Sequence, residues 1–290
     1  MRAVAYLAGG AAAEDVRLLG STGSSDSLEI DFVELYTTVL DRRGRPVLDL
    51  EAGEFAVLEG GEPQTIRRFE RVDELPIHAG VMIDTSSSMA EELAEAEAAA
   101  HRFFAEVLTP RDRAAVITFA DAPRLAVRFT NDLEVLAGGL ADLAAEGETR
   151  LYDSLAFAFH YFSGVRGKRA LVLLSDGADS GSRYKFQEVL EYARRTGVAI
   201  YAIGMNVPSD PPEAGISLDR LARETGGRSY RIDRANELGS VYRAIRTELR
   251  SQYLVAYQSS HSGQGEGFRE VEVNLARPGL EARTIRGYYP

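Results

Sequence analysis

The sequence predicts an open, mostly parallel, doubly wound α/β sheet, with flanking β segments that form a small β-sandwich. Three observations predict it. The runs at 77–83 (IHAGVMI), 169–174 (RALVLL) and 198–205 (VAIYAIGM) are nearly continuous in apolar residues, as strands covered on both faces are. They alternate with amphipathic helical patterns, which is how a layered α/β domain is written. Alternating strand patterns stand before residue 76 and after residue 250. The expected division is an N-terminal extension, or the tail of an upstream domain, at 1–25; a β segment at 26–75; an α/β domain at 76–250; and a C-terminal β segment at 251–290 that packs with 26–75.

Taken in order, MRAVAYLAGGAAAED faintly imitates a signal peptide but is short and broken by two glycines. A strand and turn is the plainer expectation. Residues 28–42 are rich in β-branched and aromatic residues and read as a long strand. The strands 55–59 and 64–70 surround Gly60-Gly61-Glu62-Pro63, a hairpin signal. After the strand 77–83, a helix over 90–108 carries Leu93, Ala96, Ala100, Phe103, Phe104 and Val107 at helical spacing. Strands follow at 113–119 and 124–129, then helices over 132–144 and 149–162. Arg166-Gly167-Lys168-Arg169 reads as a solvated basic turn before the strand 169–174. The strand 198–205 lies between helices over 184–196 and 217–225. A last helix, 235–250, puts Leu238, Val241, Tyr242, Ile245 and Leu249 on one stripe. QYLVAY, FREVEVNL and ARTIRGYY then return to the β pattern.

Composition narrows the function. The formal net charge is −11, which disfavours nucleic acid, because affinity for phosphates comes from clustered Lys and Arg. The chain has no Cys, so disulfides, zinc–thiolate sites, iron–sulfur clusters and Cys nucleophiles are excluded. No stretch approaches the roughly 18 apolar residues of a membrane helix.

The chemistry gathers after the first buried strand, at Asp84-Thr85-Ser86-Ser87-Ser88. In an extended loop the side chains of Asp84, Ser86 and Ser88 point the same way. One carboxylate and two hydroxyls make an all-oxygen cluster, suited to a hard divalent cation such as Mg2+, Mn2+ or Ca2+. Asp176, in LLSDG, follows the strand 169–174, and Thr149 stands at the start of a helix. In open α/β sheets ligands bind outside the carboxyl ends of the strands, where Asp84 and Asp176 both fall and where Thr149 can join them. Read singly, Ser86, Ser88 and Thr149 are also ordinary helix caps, and Asp176 an ordinary Asp-Gly turn.

With these residues in view, the region 76–250 resembles a von Willebrand factor type A domain. The DTSSS run, the Thr149 loop and the Asp176-Gly177 turn match the three segments of that family's metal-ion-dependent adhesion site. The resemblance implies that Ser86 and Ser88 ligate a divalent metal directly, and that Thr149, Asp84 and Asp176 do so directly or through water. RGRPVLDLEAGEFAVLEGGEPQTIRRFE and the strands after Gln252 resemble the flanks of a bacterial VWFA-related family, so that the likeness covers about 26–290. It implies a non-enzymatic binding module, extracytoplasmic (secreted or periplasmic), in which an Asp or Glu of a partner protein completes the metal's coordination. In type A domains the last helix can shift with the state of the metal site; a shift of 235–250 would pull on the β unit.

Two other functions are weighed against it. A metal-dependent hydrolase or phosphotransferase would need a nucleophile and a base. Ser86 stands where a second Asp would be wanted, and His78, His101, His160 and His261 have no evident partner in the sequence. No phosphate-binding G-x-x-x-x-G-K-[ST] loop occurs. The other alternative is a metal-free structural assembly module. The loop 206–213, Pro-rich and leaving the strand 198–205, is expected to shape partner choice.

Overall fold

The computed structural model describes residues 3–6, 12–15, 32–72, 75–141, 143–207, 213–261, 265 and 267–290. Residues 1–31 form a unit of their own, in which β1 (Ala3–Tyr6) and β2 (Ala12–Asp15) pair antiparallel. The rest of the extension at 1–25, and residues 208–212 of the Pro-rich loop, lie outside the described residues.

The second unit begins with β3 (Phe32–Leu40), β4 (Phe55–Glu59), β5 (Glu62–Gln64) and β6 (Ile66–Arg71). It continues with β7 (Ile77–Asp84), α1 (Leu93–Val107), β8 (Arg113–Phe119), β9 (Pro123–Thr130), α2 (Leu133–Gly138) and α3 (Leu151–Phe162). Then come β10 (Lys168–Ser175), α4 (Phe186–Thr196), β11 (Ala199–Met205), α5 (Glu213–Glu224), β12 (Ser229–Ile232) and α6 (Leu238–Arg250). It closes with β13 (Gln252–Gln258), β14 (Arg269–Leu275), β15 (Glu281–Arg283) and β16 (Gly287–Tyr288).

Six strands make the central sheet in the order β12-β11-β10-β7-β8-β9, all parallel except β9. Because successive side chains of a strand face opposite ways, β7 serves two cores at once. Ile77, Ala79, Val81 and Ile83 pack against α1, α2 and α6, whereas Met82 packs with α3, α4 and α5. Gly80 lies on that second face, where a Cβ would stand 3.0 Å from both Phe162 and Leu171. All six apolar residues expected on one face of α1, and all five on α6, are buried. The order of strands reverses direction at β7: β8 lies on one side and β10 on the other. That reversal opens a crevice at their carboxyl ends.

The flanks form two four-stranded sheets, β15-β3-β13-β6 and β16-β14-β4-β5. β13 pairs antiparallel with both β3 and β6, so a C-terminal strand lies between two N-terminal ones. Leu35, Val39, Phe55, Val57, Tyr253, Val255, Tyr257 and Val271 fill the space between the sheets. One carboxylate is buried with them. Glu59 accepts hydrogen bonds from Tyr257 Oη (2.7 Å), Ser259 Oγ (2.6 Å) and Tyr288 Oη (3.1 Å), and His261, unpartnered in the sequence reading, lies 3.3 Å from it.

Several local expectations are corrected. The helix over 132–144 is only Leu133–Gly138, ended by Gly138-Gly139, where a Cβ on Gly139 would meet Val127 Cγ2 at 2.0 Å. The helix over 217–225 starts at Glu213, just after Pro211-Pro212. The strand over 64–70 divides at Thr65 into β5, which pairs with β4, and β6, which pairs with β13. The basic turn at 166–169 is not a solvated loop throughout. Lys168 is buried at the start of β10 and its ammonium donates to the Leu249 carbonyl, while Arg169 is half-buried.

Candidate functional site

Parallel pairing of β7 with β10 sets Ile83 beside Leu174, so Asp84 and Ser175 end neighbouring strands together. The contact is direct: Ser175 Oγ donates to Asp84 Oδ2 at 2.6 Å. The other oxygen, Oδ1, accepts the backbone N–H of Ser86 at 2.9 Å, which bends the chain sharply after β7. Asp84 is fully buried. Burial raises its pKa above the ordinary carboxylate range; the hydrogen bonds from Ser175 and Ser86 offset this in part, and the negative charge of Asp176 pushes the same way as burial.

The bend brings Ser86 Oγ and Ser88 Oγ to 3.1 Å from each other, with Ser86 buried and Ser88 exposed. Ser86 stands at a helix N-cap position, yet its side chain makes no capping hydrogen bond. The capping role available to a serine there is not used.

The Thr149 loop is tied to this bend. Ser87 N and Ser87 Oγ both donate to the Gly147 carbonyl (3.2 and 3.1 Å), and Glu146 N donates to the Thr85 carbonyl (2.9 Å). On its other side it is tied to the segment after Asp176: Thr149 N donates to Ser180 Oγ (3.0 Å) and Ser180 N to the Thr149 carbonyl (2.8 Å). Thr149 is buried and the N-cap of α3 is Arg150, one residue later. Asp176 is buried at the edge of the same crevice; its Oδ1 accepts from Ala178 N at 2.9 Å. The structure thus brings together the three stretches that carry Asp84, Ser86, Ser88, Thr149 and Asp176.

Residues that the sequence reading did not single out hold this arrangement. Ser175 orients Asp84 and also accepts from Gly177 N (3.0 Å). Asp179 Oδ1 accepts from Tyr152 N (3.2 Å), and Asp153 Oδ1 accepts from Arg183 N and Tyr184 N, so that the segment after Asp176 is laced over the start of α3. The signal available was the density of oxygen side chains in SDGADSGS, read only at its second residue.

Two carboxylates and three hydroxyls fit a hard cation and not a soft one. Among the described residues no group of three or more His, Cys, Asp or Glu side chains is placed to hold a metal, so a cation at this site would depend on the hydroxyls. With only two formal negative charges against a divalent ion, such a site would keep affinity for a further anionic ligand.

Comparison with known proteins agrees with the architecture. Residues 81–178 match the family described as von Willebrand factor type A domain. No curated protein matches the chain. Among solved structures, a von Willebrand factor type A protein from Catenulispora acidiphila is similar at 15% identity, over 92% of this chain and 75% of its own, with a TM-score of 0.52. The vWF domain of the type V pili tip protein Mfa5 from Porphyromonas gingivalis is similar at 15% identity, over 59% of this chain and 94% of its own (TM-score 0.50). An aerotolerance-related membrane protein from Bacteroides fragilis, carrying multiple mutations to serine, is similar at 18% identity, over 60% of this chain and 98% of its own (TM-score 0.50). At these identities the likeness is one of fold.

Proposed function

We propose that this chain, whose α/β unit is a von Willebrand factor type A domain, is a metal-dependent protein-binding module and not an enzyme. Asp84, Ser86, Ser88, Thr149 and Asp176 would hold a divalent cation, Mg2+ or else Mn2+ or Ca2+. The cation would supply an electrophilic position for an Asp or Glu side chain of a partner protein. The observation that carries this reading is the convergence of three chain-distant stretches, two carboxylates among hydroxyls, at the carboxyl edge where the strand order reverses.

The chain's own residues divide the work. Asp84, fixed by Ser175 and by the Ser86 amide, contributes fixed charge from below. Ser88 stands exposed at the mouth, where a partner would arrive. The pili tip and membrane proteins of like fold support an interaction role and an extracytoplasmic setting, and no helix among the described residues is long and apolar enough to cross a membrane. Pull-down from the producing cells' envelope and medium, with and without EDTA, tests the proposal. A captured protein that is released by chelator and absent with Asp84→Ala is the expected result. Capture unaffected by both would overturn it. A metal-dependent hydrolase would instead reveal itself by turnover of esters or phosphates with Mg2+.

A further inference from the structure

At the opposite, amino-terminal edge of the parallel sheet, the α/β unit meets the outer face of the sheet β15-β3-β13-β6 around a cavity of about 800 Å³. That volume lies within the range of small-molecule sites. Arg169 and His78 line it side by side, as register partners on β10 and β7. Arg169 is half-buried, and its Nε is wholly enclosed without a hydrogen-bond partner; His78 Nδ1 is enclosed and unpartnered as well. Burial lowers the pKa of both; Tyr36 and Glu34 counter it at Arg169, and at His78 the charges of Arg113 and Arg169 add to burial while Asp112 opposes it.

Three other charged groups at the cavity have partners of their own. Arg68 pairs with Glu70, the Lys168 ammonium donates to the Leu249 carbonyl, and Glu34 accepts from the Tyr36 hydroxyl at 3.3 Å. No ion pair joins Glu34 to Arg169 among the described residues. Arg169 therefore faces the cavity with a planar fork of donors, beside an exposed Arg166 at the rim. Leaving the enclosed Nε–H unmet is costly, and a carboxylate or phosphate can take it together with a terminal N–H of the same fork. The rest of the wall is apolar where it matters for a ligand's body: Leu75, Pro76, Val165 and Ile285.

We infer that this cavity binds a small organic anion, with its oxyanion group on Arg169 and its apolar body against Leu75, Pro76, Val165 and Ile285. The site is separate from the cation site and independent of it. Isothermal titration of the full chain with octanoate, octyl phosphate and inorganic phosphate tests this. At least one of the two amphiphiles should bind more tightly than inorganic phosphate, and the better of them identifies the head group. Arg169→Gln should weaken that binding about tenfold or more, and Arg166→Ala, a change confined to an exposed side chain, should weaken it less. EDTA should leave it unchanged. Absence of binding by all three probes at millimolar concentration, affinity unchanged in a folded Arg169→Gln, or loss of binding in EDTA would each overturn the inference. Inorganic phosphate binding as tightly as octyl phosphate would overturn the role of the apolar wall.

Discussion

Ser175 and Gly177 illustrate what single residues decide at the carboxyl edge. Ser175 donates a 2.6 Å hydrogen bond to Asp84, so Ser175→Ala should free that carboxylate to turn and weaken Mg2+ binding by about tenfold to hundredfold, as loss of an outer-shell partner does. Calorimetric titration with Mg2+ checks this, and wild-type affinity would show that Asp84 needs no such support. Gly177 has φ +80°, and a Cβ on it would meet Leu218 Cδ1 at 2.8 Å and the Ala214 carbonyl at 3.1 Å. Gly177→Ala should destabilise the chain by about 1–3 kcal/mol in denaturant titration, through backbone strain and crowding against α5. At this scale the sequence put four oxygen residues on one edge, because a strand end followed by D-x-S-x-S, and a second strand end followed by Asp-Gly, need only the rule of strand ends; Thr149, at a helix start, was joined to them by the resemblance. Ser175 was not legible: a serine inside a buried strand has no sequence mark to distinguish a hydrogen-bonded orienter from a packed small residue.

Among the elements, the junction of α6 with the edge of the sheet holds a buried carboxylate paired with an arginine. Asp112, fully buried in the turn before β8, accepts from Ile77 N (2.7 Å) and Thr109 N (2.7 Å) and pairs with Arg250 at the end of α6. Burial alone would raise its pKa, but these donors outweigh it and hold the carboxyl below the usual range. The folded chain therefore binds fewer protons there than the unfolded one. The stabilisation is complete above the unfolded value, about 3.9, and is lost as pH falls through the lower folded value. Asp112→Ala, which leaves Arg250 without its partner, should cost about 3–5 kcal/mol at neutral pH and flatten this part of the acid limb. Urea titrations of both proteins across the acid range check it; an unchanged acid limb would contradict it. The helices α1 and α6 were legible from their stripes of apolar residues. The extent of α2 was overread, although the helix-breaking pair Gly138-Gly139 that ends it stands in the sequence.

For the whole molecule, β13 is the element that joins the parts. It follows α6 after a single residue and lies between β3 and β6, so the sandwich is made of both ends of the second unit. Ending the chain at Arg250 would strip β3 and β6 of their shared partner and expose Leu35, Val39 and Phe55. Unpaired strand edges with an apolar face aggregate. Size-exclusion chromatography should find the shortened chain in large species, and a stable monomer would contradict this. The alternation of the flanking strands was visible in the sequence. The interleaving of β13 was not, since register between distant strands leaves no local pattern.

The central claim is that Asp84, Ser86, Ser88, Thr149 and Asp176 hold a divalent cation, and thermal unfolding with and without Mg2+ tests it most directly. A ligand that binds only the folded form, at about a hundredfold excess over its dissociation constant, adds about 2.7 kcal/mol, which for a chain of this size is a rise of several degrees. Wild type should show that rise in millimolar Mg2+, and Asp84→Ala should not. Equal melting of the wild type with and without the ion would contradict the account.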